Sequence, residues 1–141
     1  MGKITGIGHL AITTKDMEKS LDFYTRILGF KKVFDIPEPN TGAPWINYIH
    51  IGGSQFVELF YDGSKDNPWE PALRGFNHIC LEVDDLTAVC DTIKSLGYKL
   101  DKEPVQGCDY NYQAWLTDPD GIRIELMQID PKSPHYKVIH G

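Results

Sequence analysis

Two histidines and two glutamates, His9 with Glu58 and His78 with Glu125, carry the chemistry that this sequence offers. Two imidazoles and two carboxylates suit zinc, nickel, cobalt, manganese or ferrous iron, and suit calcium poorly. Four such donors fill a tetrahedron, but in an octahedron they leave two positions open. Open positions let a bound ion act as a Lewis acid on a substrate carbonyl or hydroxyl. Cys80, Cys90 and Cys108 are odd in number and lack CxxC spacing. They read as reduced thiols in a cytoplasmic protein, so a closed Cys-type zinc site is not indicated.

Each His opens a similar stretch, GHLAITTKDMEKSLDFYTRILGF from 8 to 30 and NHICLEVDDLTAVCDTIKSLGY from 77 to 98. Each Glu ends a similar apolar run, FVELF at 56–60 and RIELM at 123–127. The chain therefore reads as an internal repeat. Module one spans 4–61, a linker rich in Gly, Ser, Asp and Pro spans 62–75, module two spans 76–129, and 130–141 is a tail that packs on a neighbour or stays mobile. With 141 residues, the two half-size modules share one domain.

The elements follow the same order in both halves. In module one, Gly6–Thr14 alternates as a strand, and Asp16 caps a helix with Met17, Leu21, Tyr24 and Leu28 on one face. Gly29 ends that helix, and strands follow at Phe30–Ile36, Trp45–Ile51 and Gln55–Tyr61. In module two, Phe76–Val83 is a strand, and Asp85 caps a helix with Leu86, Val89, Cys90, Ile93 and Leu96 inward. After Gly97 come a strand at Tyr98–Lys102, a loop at Pro104–Asp109, and a hairpin of Tyr110–Thr117 with Ile122–Ile129 around the turn Asp118-Pro119-Asp120-Gly121. This is an α+β chain of two tandem βαβββ modules forming a curved mixed sheet.

Side chains alternate faces along a strand. If Leu10 and Ile12 meet the helix, His9 points away from it, and the same parity sends His78 away from Ile79, Leu81 and Val83. Glu58 points opposite Val57 and Leu59, with Phe56 and Phe60; Glu125 points opposite Ile124 and Leu126, with Arg123 and Met127. All four donors then lie on the face that no helix covers, where a shared site explains them better than solvation or packing. His50, His135 and His140 fall outside the repeat and are not read as ligands. Trp45, Tyr48, Phe56, Phe60, Tyr110, Tyr112 and Trp115 sit on neighbouring strands. Phe56, Phe60 and Tyr112 are candidates to line a substrate pocket, and Arg74 to hold a substrate anion.

The net charge of −6 and the lack of a basic stripe argue against nucleic acid and anionic membranes. No apolar run approaches the roughly 20 residues of a membrane span, and the N-terminus carries no signal-peptide pattern.

The paired modules, the His-opened stretches and DPDGIRIELMQ resemble the vicinal oxygen chelate superfamily over residues 4–129. The His–Glu–His–Glu set is similar to that of bacterial glyoxalase I. The resemblance implies one divalent ion held by His9, Glu58, His78 and Glu125: nickel, zinc, cobalt or manganese, or ferrous iron in an extradiol-type dioxygenase. It implies a lyase or isomerase that converts a 2-oxoaldehyde–thiol hemithioacetal to a 2-hydroxyacyl thioester through a metal-bound enediolate, with Glu125 first and Glu58 second as the base. It also implies a homodimer, and leaves open whether the site forms within one chain or across two. The alternatives are an epimerase-like proton-transfer enzyme of the methylmalonyl-CoA type, an extradiol-type dioxygenase, and a small-molecule binding or resistance protein without turnover. Two positions depart from glyoxalase I: Thr13 replaces an Arg, and Asp62 replaces an Asn, beside which a glutathione carboxylate would be repelled.

Overall fold

The computed structural model describes residues 1–141, which divide into two compact units, Met1–Asp66 and Asn67–Gly141. Each unit is a βαβββ module with its own four-stranded mixed sheet. The first holds β1 (His9–Thr13), α1 (Met17–Asp22), β2 (Lys31–Pro37), β3 (Pro44–Gly52) and β4 (Gln55–Phe60). The second holds β5 (Ile79–Glu82), α2 (Leu86–Ser95), β6 (Lys102–Gln106), β7 (Tyr112–Thr117), β8 (Arg123–Gln128) and α3 (Pro134–His140). The strand order is β1-β4-β3-β2 in one sheet and β5-β8-β7-β6 in the other. In both, the first strand pairs in parallel with the last, and the remaining pairs are antiparallel.

The helices start where their caps dictate. The Asp16 carboxylate accepts from Lys19 N–H, and the Asp85 carboxylate accepts from Ala88 N–H. The Gln128 side chain takes a further free N–H of α2, that of Leu86, at 2.8 Å. Gly29 and Gly97 adopt φ of 77° and 83° just beyond the helical segments, the left-handed turn-out that a side chain disfavours.

Each helix covers one sheet face. In the first unit Ile12, Ile49, Val57 and Leu59 are buried together with Met17, Phe23, Tyr24 and Ile27. The expected inward row of Met17, Leu21, Tyr24 and Leu28 is only partly realised. After α1 the chain continues as a π-helical turn, Phe23–Ile27, in which Leu28 N–H reaches back to Phe23 O at 2.9 Å. The wider turn rotates later residues by one position, so Ile27 turns inward and Leu28 is only half-buried; Leu21, ahead of the turn, is half-buried as well. In the second unit Leu86, Cys90 and Ile93 pack inward with Ala114, Leu116, Ile124 and Leu126, while Val89 and Leu96 lie toward the rim.

Two segments differ from the sequence expectation. The strand expected at Tyr98–Lys102 lies further on, at Lys102–Gln106, and includes Pro104. This strand is the sheet edge, and its register slips between Lys102 and Val105, so the missing N–H of Pro104 breaks no continuous ladder. Residues 98–101 are instead pinned by side chains and two backbone bonds, one of them from Tyr98 N–H to Ile93 O at 3.2 Å. Tyr98 donates its hydroxyl to Thr117 O at 2.6 Å, Asp101 N–H donates to Trp115 O at 2.7 Å, and Leu100 is buried. The tail also has structure of its own: Ser133, fully buried, accepts from Tyr136 N–H at 3.1 Å and starts α3, with Pro134 in the first turn.

Burial, and then the nearby Asp118 and Asp101 charges, push the Tyr98 phenol up to about 12. A phenol whose proton is held more tightly in the folded state contributes stability below the ordinary tyrosine range, and that contribution is lost as pH rises from about 10 toward 12. Tyr98→Phe is therefore expected to cost about 1 kcal/mol at neutral pH, the worth of one hydrogen bond, and to flatten the alkaline loss of stability. Urea unfolding at neutral and alkaline pH reads both effects; an equally steep alkaline loss in the variant would contradict them.

Candidate metal centre

The parallel pairing of first and last strands builds the same local geometry twice. In the first unit Ala11 is the partner of Glu58, and His9 lies two residues before Ala11. In the second, Cys80 is the partner of Glu125, and His78 lies two residues before Cys80. Residues two apart share a face, so each His meets its Glu on the face opposite the helix-covered core. His9 Nδ1 lies 3.5 Å from Glu58 Oε1, and His78 Nε2 lies 3.1 Å from Glu125 Oε2. The carboxylates are well shielded, with side-chain exposures of 11% and 16%, whereas the imidazoles are more open at 54% and 31%. A shielded carboxylate beside an accessible imidazole is a two-donor arrangement fit for a divalent ion. Within either unit no group of three or more His, Cys, Asp or Glu side chains is arranged to hold a metal.

The surroundings of the two pairs differ. Around Glu58 the face is aromatic. Phe56 and Phe60 flank it on β4, as their parity predicts, and Tyr48 stands opposite it on β3. Phe34 stacks on Tyr48 with ring centroids 4.3 Å apart, and Phe34 and His50 approach Phe56 at 6.5 and 5.1 Å. The Tyr48 phenol is raised from its ordinary value by burial, then by its hydrogen bond to Glu58 and by the Glu58 charge. His50 is occupied at the hairpin, with Nε2 2.9 Å from Gly53 O. Thr13 shares the face of His9, and Asp62 is exposed just beyond β4 with φ of 67°.

Around Glu125 the face is polar and mixed. Trp115 stands opposite it on β7, and its ring meets the His78 ring edge-on at 4.7 Å. The Arg123 guanidinium lies 3.6 Å from the centroid of Trp69 and 4.9 Å from that of Trp115. A shallow cavity of about 410 Å³ opens beside these residues, bordered by Asp101, Lys102, Gln113, Trp115 and Arg123. The Cys80 thiol, pushed up to about 12 by burial and then by Glu125, is a neutral group here.

Two candidate pocket residues stand apart from the pairs. Tyr112 pairs with Gln128, so it has the parity of Ala114 and Leu116 and faces away from Glu125. Trp115 and Gln113 hold the places on that strand that look toward Glu125 and Met127. Arg74 lies exposed in the bend before β5. Arg123 shares the face of Glu125, as strand parity predicts, whereas Trp69 and Asn77 are neighbours that no motif marks, the one sequence signal being the adjacency of Asn77 to His78.

A tandem βαβββ chain with a His–Glu pair in each module has the form of a vicinal oxygen chelate protein. The family model described as the glyoxalase, bleomycin resistance protein and dioxygenase superfamily matches residues 6–126, and the chain belongs to that superfamily. It is 32% identical to a probable lactoylglutathione lyase of Synechocystis, over 88% of this chain and 95% of that one. It is 30% identical to a lactoylglutathione lyase of Pseudomonas putida, over 87% and 84%. A superfamily member of known structure from Sphaerobacter thermophilus aligns over 89% of this chain and 98% of its own, with a TM-score of 0.69 and 27% identity. No helix is long and apolar enough to cross a membrane.

In metal-free protein, Glu58→Gln removes the carboxylate charge that helps raise the Tyr48 phenol and leaves a neutral acceptor in its place, while burial, the largest cause, remains. Alkaline absorbance titration, with Tyr48→Phe identifying the signal, is expected to show Tyr48 ionising at lower pH in Glu58→Gln than in the parent. An unchanged midpoint would mean that the two groups are not coupled.

Proposed function

We propose that the chain is a metal-dependent isomerase of the glyoxalase I type, with His9, Glu58, His78 and Glu125 as the ligand set. The observation that supports this most directly is the repeated register: in each module the His sits two residues before the strand partner of the Glu, on the helix-free face. The names of the relatives, lactoylglutathione lyases at 30–32% identity, favour the same chemistry. A divalent ion held by these donors would supply Lewis-acid polarisation of the substrate's adjacent oxygens.

The protein's own share of the reaction is proton transfer. In a hemithioacetal the carbon bearing sulfur and hydroxyl loses its proton to a carboxylate, and the carbonyl oxygen takes up the displaced electron pair. The carboxylate then returns the proton to the neighbouring carbon while the hydroxyl proton passes to the former carbonyl oxygen, so that carbonyl and hydroxyl exchange places and no atom is gained or lost. Glu125 is assigned as the first base and Glu58 as the second. The aromatic face of Phe34, Tyr48, Phe56 and Phe60 is suited to an apolar substrate portion, and the active assembly is read as a homodimer.

Thr13 and Asp62 offer no cation to a glutamyl carboxylate, so a hemithioacetal of a thiol other than glutathione is the second reading. The test is turnover of methylglyoxal hemithioacetals of glutathione and of uncharged thiols, using protein loaded with nickel or zinc. Isomerisation is expected in the parent, with a loss of about 10²–10⁴-fold in Glu125→Gln and a smaller loss in Glu58→Gln. A fully metal-loaded protein that turns over none of these substrates would overturn the proposed activity.

A further inference from the structure

One hydrogen-bonded chain in the second unit has no counterpart among the contacts of His9. The Asn77 side-chain amide oxygen, Oδ1, accepts from Arg123 Nη1 at 3.0 Å and lies 2.6 Å from His78 Nδ1. On its other side His78 faces a second acceptor, Glu125 Oε2, 3.1 Å from Nε2. A neutral imidazole carries one N–H and so can donate to only one of them. An asparagine amide can ordinarily turn over and offer its NH₂ instead, but here Arg123 needs the oxygen where it is. Arg123 in turn is held between the rings of Trp69 and Trp115, a placement worth about 0.5–2 kcal/mol per cation–π contact.

We propose that Asn77 is a positioning residue for His78, fixing its proton on Nδ1 so that the Nε2 lone pair faces Glu125 across the gap a cation would fill, and that the clamped Arg123 locks the Asn77 amide in the orientation this requires. The shorter contact of the ring is to Asn77, in keeping with the N–H on that side. The ring nitrogen that is free to ligate is set by the hydrogen bond the other one makes. A lone pair and a carboxylate oxygen facing each other repel unless a positive species lies between them, so the pair is preset for a metal ion. The proposal rests on the reading of His78 as a ligand, and extends it to residues that touch no ion themselves. It also makes the two half-sites unequal: the His78 side is oriented before the metal arrives, and the His9 side, more exposed and 3.5 Å from its Glu, is oriented by it.

The test has two readouts. Proton–nitrogen correlation NMR of the neutral His78 ring in metal-free protein gives the tautomer, and titration with zinc ion alone gives affinity. The parent is expected to carry the Nδ1–H tautomer. In Asn77→Ala the proton should move toward Nε2 and Glu125, and zinc affinity should fall by about 10–100-fold, the usual effect of losing the hydrogen bond that orients a ligating His. Asn77→Asp keeps an acceptor at the same place and should keep the tautomer. Arg123→Met frees the amide to turn over and should give a mixture. An Nδ1–H tautomer that persists in Asn77→Ala, or an Nε2–H tautomer in the parent, would overturn the proposal. If the parent binds no zinc, the metalloenzyme reading fails, and the tautomer in metal-free protein still decides the role of Asn77.

Discussion

Everything at this site depends on the parallel pairing of the first and last strands in each module. Alternation along a strand is strict, so a slip of one residue in β4 or β8 would carry Glu58 or Glu125 to the helix-covered face and turn Val57 and Leu59, or Ile124 and Leu126, out of the core. The apolar residues on one face therefore enforce the register of the polar residues on the other. The same relation, with the His two positions before the partner of the Glu, recurs in both units. The core holds the donors in place even though none of them belongs to it.

The two modules use this common frame differently. The first surrounds its carboxylate with Phe34, Tyr48, Phe56 and Phe60, giving an apolar wall with one phenol aimed at Glu58. The second surrounds its pair with Trp69, Trp115, Arg123 and Asn77, giving a braced imidazole. The donors recur in both modules, with mainly aromatic neighbours around Glu58 and hydrogen-bonding and cationic neighbours around His78. In the proposed isomerase reaction such a division would serve proton transfer, which needs both an accommodating surface for the substrate and a base held at a fixed place.

Much of the fold could be read from the residues. Asp16 and Asp85 mark helix starts, Gly29 and Gly97 mark the ends, and the apolar alternation gives the face of all four donors. What escaped has identifiable physical causes. The π-helical turn at Phe23–Ile27 rotates the inward row, and no sequence pattern announces the extra residue. Cross-strand partners depend on hairpin geometry as well as parity. A regular hairpin closed by Gly52 and Gln55 would set Ile49 against Glu58, but a bulge between His50 and Gly52 sets Tyr48 there. In the other unit the buried Asp118 carboxylate accepts from both Asp120 and Ile122 N–H and draws Ile122 into the loop, so that Trp115 rather than Ala114 meets Glu125. That same shifted pairing gives Tyr112 the face opposite Glu125. Pro104 read as a loop residue because an edge strand, where proline is tolerated, is recognisable only once the sheet order is known.

The central claim is that the two His–Glu pairs act as one ligand set rather than as two unrelated ion pairs. Equilibrium titration of the metal-free chain with a single divalent ion, counted per chain and repeated for His9→Ala and His78→Ala, addresses it directly. One ion per chain, with affinity collapsing when either histidine is removed, is the predicted result. Binding that survives the loss of both histidines, or two independent ions per chain, would contradict it.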